Sequence, residues 1–552
     1  MLAKHNTANA STHIVNMKLL FVFSCICKKN ITFAKVQLSE NNSKEKVIFL
    51  LLSSERTILK DSAFIDIMLI DEIIFQINQE LAHNPTAGQA HVSDVFAHFL
   101  TDREERAVMI LRGSAGTGKT TLAGAMVRML QKLRQTVVLL APTGRAAKVF
   151  SLNSGSPAHT IHRWIYRQRT LDGGGGSFDL GFNKLRDALF VVDEASMISR
   201  GVEYGSSSFG SGSLLDDLIS FVYGTGSCRL LLIGDKAQLP PVGEQESPAL
   251  SDSVLASYGL KVYSCDLDEV LRQSAESGIL WNATRIRSLV PSLPQINLDF
   301  PDVRVVPGDE LIESLASSYS KMGIDDTIVV TRSNKRANIY NMGIRNTILD
   351  REEELTSGDR LMIVKNNYFW TEKEKNGNDN GNVSLSSAPS FIANGDIAVV
   401  ERVRNVRELF GFRFADVRLR FPDYDDYELQ TTVMLDTLTS ESPSLTSDQQ
   451  EQLFNAVMED YSFIANRKER LKKLREDIYY NALQVKFAYA VTCHKAQGGQ
   501  WAHVYLDQGY LTDDMVNSDY IHWLYTAFTR ATENLYLVNW PKSQIQINDN
   551  ND

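Results

Sequence analysis

The chain has 552 residues, 43% hydrophobic and 22% charged, with a formal net charge of −10. That length exceeds a single hydrophobic core, so three or four folding units are expected, and the composition is that of an ordinary soluble globular protein rather than a membrane or low-complexity one. The acid excess lends no support to nucleic-acid binding by a basic domain, but leaves room for a cleft lined locally by Arg and Lys.

Residues 1–67 differ from the remainder in charge sign. They hold nine Lys and Arg against five Asp and Glu, a balance of +4 that leaves −14 for the rest. Their apolar run at 19–26 is too short to span a bilayer and is followed by no clear small-residue cleavage site, so neither an anchor nor a secretory signal is expected. The segment carries no motif and is read as an N-terminal extension, with Met68 as the expected start of the working chain. Cys25, Cys27, Cys228, Cys265 and Cys493 lack metal-ligand spacing and are too few for a disulfide framework, which fits a reducing, cytoplasmic setting.

From Met68, the spacing of Leu69, Ile70, Ile73, Ile74 and Ile77 predicts an amphipathic helix ending near His83. Pro85 and Thr86 open the next helix, on which Gln89 offers an amide that can read adenine. Residues 107–111 (AVMIL) read as a short buried strand. Gly113, Ser114, Ala115, Gly116, Thr117, Gly118, Lys119 and Thr120 then fit G-x-x-x-x-G-K-[ST] at every fixed position, and an apolar helical pattern starts at Thr121. In that strand–turn–helix context the glycines let the backbone approach phosphates, while successive N–H groups and the helix N-terminus supply positive potential. Lys119 can reach the β- and γ-phosphates and Thr120 can ligand Mg²⁺. The chain is expected to bind a nucleoside triphosphate, ATP.

A second buried strand at 137–141 leads into Pro142, Thr143, Gly144 and Arg145, and Thr160, Ile161 and His162 follow. The polar, Gly-rich stretch 167–182, with four consecutive glycines from Gly173 to Gly176, is read as a β-hairpin. Residues 189–192 (LFVV) deliver Asp193 and Glu194 at a strand end, where Asp193 would hold Mg²⁺ and Glu194 would orient the attacking water. The strand at 230–233 ends in GDKAQLPPVG, placing Gln238 where it can sense the γ-phosphate.

This ordered set (GSAGTGKT, APTGRAAK, TIH, DEAS, GDKAQLPPVG) resembles superfamily 1B helicases of the RecD-like group, and the compact spacing is Dda-like. The later chain continues the likeness with LDEVLRQ at 267–273, TRSN at 331–334, VTCHKAQG at 491–498 and YTAFTRA at 525–531, so it covers about 84–540. The resemblance implies two RecA-like phosphate-loop lobes, an α/β fold, with ATP between them. A small hairpin insertion at about 163–182 and an SH3-like β-rich insertion at 358–486 complete it. The first lobe would occupy 68–262, and the second 263–357 with 487–545, followed by a polar acidic tail at 546–552.

By the same resemblance the catalytic set is Lys119, Glu194 and Gln238 from the first lobe with Arg272 and Arg530 from the second, and Thr121, Gln497 and Gly498 join the ATP site. Pro142, Thr143, Gly144, Arg145, Thr160, His162, Thr492, His494 and Lys495 would touch single-stranded DNA. The implied activity is ATP-driven unwinding of duplex junctions with 5′→3′ polarity by a monomer working beside repair or replication proteins, with no membrane partner. Arg163, Arg167 and Arg169 would hold phosphates at the base of the hairpin, and Phe178 would cap the last base pair. An RNA-directed helicase and an ATP-switched, non-unwinding subunit of a repair complex remain as rival readings. Pro422-Asp423 with Glu428 is read as an acidic surface rather than a nuclease centre, and the charged helix expected at 449–480 as a solvated face.

Overall fold

The computed structural model describes residues 32–38, 46–52, 58–168, 178–201, 210–269, 277–289, 292–367, 369–371, 373, 389 and 391–546. Strands β1 (Thr32–Leu38) and β2 (Lys46–Leu52) pair antiparallel. Helix α1 (Ile58–Glu80) precedes α2 (Ala87–Thr101), β3 (Ala107–Gly113), α3 (Lys119–Lys132), β4 (Val137–Ala141) and α4 (Gly144–Ser154). Then come β5 (Ala158–Thr160), α5 (Ile161–Ile165), β6 (Tyr166–Gln168), β7 (Phe178–Leu180), β8 (Leu189–Val192), α6 (Leu214–Tyr223), β9 (Arg229–Gly234), α7 (Asp252–Ser257) and β10 (Lys261–Leu267).

Six of these strands form one sheet in the order β10-β3-β9-β8-β4-β5. Every pairing in it is parallel. The apolar runs explain the arrangement: Val108, Met109, Ile110 and Leu111 have no exposed surface, as a central strand covered by helices on both faces requires. Each such side chain contributes about 1.5–3 kcal/mol of burial. Loops at the carboxyl ends of these strands carry the predicted motifs, the usual place for ligands in an open α/β sheet.

The second lobe holds α8 (Gly278–Arg287), β11 (Val303–Val306), α9 (Leu311–Met322), β12 (Thr327–Thr331) and α10 (Asn334–Gly343). The insertion contributes β13 (Arg360–Ile363), β14 (Ile397–Leu409), β15 (Phe412–Phe421), β16 (Tyr427–Met434), α11 (Ser447–Asp460), α12 (Arg467–Glu476) and β17 (Leu483–Phe487). The lobe resumes with β18 (Ala490–Thr492), α13 (Cys493–Ala496), β19 (Trp501–Asp507), α14 (Ser518–Phe528) and β20 (Ala531–Val538). Its parallel sheet runs β11-β20-β19-β12-β18, while β13 to β17 close into a five-stranded barrel. The expected α/β fold with a β-rich insertion is therefore present.

One turn of π-helix, Ile344–Ile348, ends α10 and brings Arg345 under the barrel. Asp359 lies at the joint, fully buried. It accepts from Arg345 Nε (3.0 Å) and Nη2 (2.9 Å), Arg351 Nη1 (3.0 Å), the Tyr489 hydroxyl (2.9 Å) and Thr356 N (2.9 Å). The strands that leave and rejoin the lobe are neighbours, since Ala488 N donates to Arg360 O at 3.0 Å.

Three expected boundaries move. The helix predicted from Met68 runs Ile58–Glu80 and so crosses the 67/68 boundary. The first lobe extends to Leu267, because β10 pairs with β3 from Lys261↔Ala107 to Leu267↔Gly113. The single charged helix at 449–480 is two helices, α11 and α12, packed over an apolar cluster that includes Leu453, Val457 and Leu474.

Candidate nucleotide site and interlobe cleft

The phosphate loop is shaped by glycine. Gly116 and Gly118 take φ of 79° and 80°, and a Cβ on Gly113 would come within 2.9 Å of both Leu267 Cβ and Thr117 Oγ1. Lys119 Nζ donates to Ser114 O at 2.8 Å, folding over the loop that its charge would serve. Thr120 Oγ1 lies 3.5 Å from Asp193 Oδ2. Burial, reinforced by neighbouring Glu194, pushes the Asp193 carboxyl up to about 7. A buried carboxyl beside a second acid and a hydroxyl is a hard-oxygen donor set, and Asp193 and Thr120 are the residues that would hold Mg²⁺. Glu194 adopts φ 54° and ψ 37°, left-handed backbone directly after β8 and Asp193.

Two buried polar atoms here, Ser114 Oγ and Gln238 Oε1, have no partner within the chain. An unpartnered buried hydroxyl on the phosphate loop fits a polar ligand bound there. Thr121 is exposed on the first turn of α3.

Second-lobe side chains grip residues 235–239. Tyr525 donates to Asp235 Oδ2 at 2.6 Å and accepts from Ala115 N at 2.9 Å. His522 Nδ1 meets Ala237 O at 2.9 Å, Thr526 Oγ1 accepts from Leu239 N at 2.8 Å, and Gln497 Nε2 donates to Leu239 O at 2.7 Å. Gln497, expected at the ATP, is thus spent on the seam between the lobes. Gly498 packs there too, since its Cβ would lie 3.0 Å from Ala146 Cβ on α4.

Beside this seam opens a cleft of about 330 Å³ lined by all three units. Pro142, Thr143, Arg145, Thr160 and His162 come from the first lobe, and His494, Lys495 and Trp501 from the second. Asn366, Phe391 and Asn394 come from the insertion. Thr143 and Thr160 accept from Ala146 N and Arg163 N as helix N-caps, which leaves each O–H able to donate to an anion. Burial pushes His162 down to about 4, and burial with Lys495 nearby lowers His494. Gly144 lies outside the lining, beneath Tyr424 and Asp396 of the barrel, and Thr492 stands at the N-terminus of α13.

Several expected placements differ. Arg145 stacks over Trp501 at 4.1 Å and donates to Gln500 O, so it bridges the lobes rather than standing free in the cleft. Gln89 is fully buried; its Oε1 accepts from Thr86 N and its Nε2 reaches Thr117 O, docking α2 on the phosphate loop. Arg530 is buried, donating to Thr526 O, Gly499 O and Thr529 Oγ1 inside its own lobe. Arg272 lies outside the described residues, as does Arg169, and the side chain of Phe178 is not described. The hairpin exists as β6 paired with β7. Arg163 belongs to α5, and Arg167 turns back onto the carbonyls of Arg163, Trp164 and Tyr166. Tyr525, Asp235, Trp501, Asn366 and Asn394 were not foreseen as site residues. Tyr525 and Asp235 do fall inside recognised motifs, which is the signal that could have found them.

Two parallel sheets joined at a phosphate loop and at a cleft lined by hydroxyls and cations define a two-lobed phosphate-loop nucleotide-binding protein. Residues 86–288 match the family model described as AAA domain, and 487–538 match the UvrD-like helicase C-terminal domain. The chain is 27% identical over 300 residues to the ATP-dependent DNA helicase dda of Enterobacteria phage T4, covering 52% of this chain and 62% of that protein. It is 30% identical over 199 residues to the ATP-dependent RecD2 DNA helicase of Deinococcus radiodurans, covering 36% and 24% respectively. The chain thus spans less than two thirds of either relative. Among solved structures, Pif1 helicase from Bacteroides in complex with ADP-AlF3 and ssDNA aligns over 84% of this chain and 94% of its own, with 15% identity and a TM-score of 0.42.

Proposed function

We propose that this protein is an ATP-dependent DNA helicase that moves along single-stranded DNA, 5′→3′, and separates the strands at duplex junctions. The observation that carries the reading is the loop 235–239. Its Asp235 end is tied through the Tyr525 hydroxyl to Ala115 of the phosphate loop, and Pro240 and Pro241, adjoining its other end, line the cleft, so one segment reaches both places. Thr143, Thr160 and Lys495 would hold phosphates of the strand without reading its bases.

In hydrolysis Lys119 would stabilise the charge spreading over the γ-phosphate, and Glu194 would accept a hydrogen bond from the attacking water and orient it. Mg²⁺, which Thr120 and Asp193 would hold, would supply a counter-charge to the phosphates. Arg530 would add a second cation once its present carbonyl partners release it. Closing on ATP and opening on ADP then shifts the lobes by their differential affinity for the two nucleotides.

The test is unwinding of matched 5′- and 3′-tailed duplexes of DNA and of RNA with ATP and Mg²⁺. Separation of the 5′-tailed DNA duplex alone is the expected result. ATP hydrolysis stimulated by single strands with no unwinding would instead support a non-unwinding subunit, and preference for the RNA duplex would overturn the substrate.

A further inference from the structure

Resting on that reading, we propose that Tyr525 is the positioning residue that couples lobe closure to ATP turnover, its hydroxyl clipping the second lobe to both the phosphate loop and the strand-end loop that carries Gln238. The side chain is buried on α14. Its oxygen accepts from Ala115 N–H of the phosphate loop at 2.9 Å, and its proton goes to Asp235 Oδ2 at 2.6 Å. One atom therefore ties the second lobe to two neighbouring loops of the first, those that follow β3 and β9.

The rest of the α14 face supports the clip. His522, one turn earlier, meets Ala237 O, and Thr526, the next residue, accepts from Leu239 N. The carbonyl of Thr526 also accepts from Arg530 Nε at 3.0 Å. The residue beside the clip thus holds the cation expected at the transferred phosphate. Burial and the Asp235 carboxylate both raise the Tyr525 phenol above its ordinary range, so it stays a neutral hydroxyl able to give and take one hydrogen bond each.

In the open form Ala115 N–H and Asp235 would be solvated, and removing the hydroxyl costs nothing there. In the closed form both would lose their partner. The penalty falls on closure, and so on kcat, rather than on first capture of the nucleotide by the phosphate loop.

The experiment compares the full chain with Tyr525→Phe, which keeps the ring and removes one oxygen. Turnover with saturating single-stranded DNA should fall roughly 10- to 100-fold, the scale of the one charge-assisted hydrogen bond to Asp235. Affinity for ATP in the absence of DNA should move less than about twofold. Unchanged turnover overturns the inference, as does a parallel loss of nucleotide affinity, which would make the contact a mere prop of the loop. If Tyr525→Phe does not fold, Thr526→Val beside Thr526→Ser reads the same clasp. Loss with Val and retention with Ser support it, and equal turnover overturns it. A parent chain that hydrolyses no ATP would sink the helicase reading and this inference together. A parent that hydrolyses ATP, beside an equally active Tyr525→Phe, sinks the inference alone.

Discussion

Replacing Asp359 by Asn should loosen the joint between the second lobe and the barrel. Asp359 is the shared counter-charge of Arg345 and Arg351, whose side chains are 1% and 18% exposed. At about 3 Å and an effective dielectric of 20, each pair is worth about 5.5 kcal/mol of gross attraction. Arg351 can turn toward water when the charge is lost, but Arg345 cannot, because it lies 4.3 Å over the Phe487 ring. The net cost of leaving that one cation buried and uncompensated is about 3–5 kcal/mol. Hydrogen exchange read by mass spectrometry localises it. The amides of Ile363, Val364 and Ala488, which donate to Asp396 O, Gln484 O and Arg360 O, should lose roughly 10²- to 10⁴-fold protection. Amides of β3 and β9 in the first lobe should exchange as in the parent. Protection at the joint within about threefold of the parent would refute the reasoning, and Arg345 would then have found another partner.

Lys119→Ala should abolish ATP hydrolysis, while Glu194→Gln keeps nucleotide binding and slows turnover; a Glu194→Gln enzyme at the parental rate removes that residue from the site. Arg530→Ala should lower DNA-stimulated turnover by roughly 10³-fold or more, the scale of an arginine finger, and normal turnover would leave Arg530 with only the lobe contacts described above. Replacing residues 170–179 by a short Gly-Ser link should collapse unwinding while DNA-stimulated hydrolysis survives; unwinding at the parental rate would show that the hairpin is not the wedge. Asp396, buried and hydrogen-bonded by Tyr424 and Ala393 N with Asp423 nearby, is pushed up to about 7. A carboxyl raised on folding adds stability that is full below its unfolded value near 4 and lost as pH rises through about 7. Urea midpoints should therefore fall between pH 5.5 and 8, and Asp396→Asn should flatten that fall; Lys148, paired with Asp423, is a cation to check alongside.

The motifs were legible because each rides on a continuous apolar strand: β3 before Lys119, β8 before Asp193, β9 before Gln238. Such runs announce both the strand and its carboxyl-end loop. What was not legible is where long side chains spend their hydrogen bonds. Arg145 finds Trp501, and Gln497 finds Leu239, from the far side of the sequence. No local pattern encodes a partner that arrives only when two lobes pack. The same limit misplaced the lobe boundary. Residues 263–267 run into LDEVLRQ and read as part of the second lobe, whereas their pairing with β3 makes them the edge of the first sheet. The hairpin was foreseen from its glycines and found as β6 and β7, but the use of Arg167 on its own backbone carbonyls had no signature in composition.

The two ends of the barrel touch, Arg360 against Ala488, and the strands on either side of it, β12 and β18, are paired neighbours in the sheet. The chain can therefore step out of the second lobe and back in without changing the order of any strand there. The barrel leaves and rejoins the lobe at one place, beside the Asp359 charge cluster, and meets the first lobe through Lys148 and Asp423. A chain built this way can take a different insertion while its phosphate-loop sequences stay fixed. Diversity among such chains should then accumulate between residues 360 and 487 and leave little trace in the motifs of the two lobes.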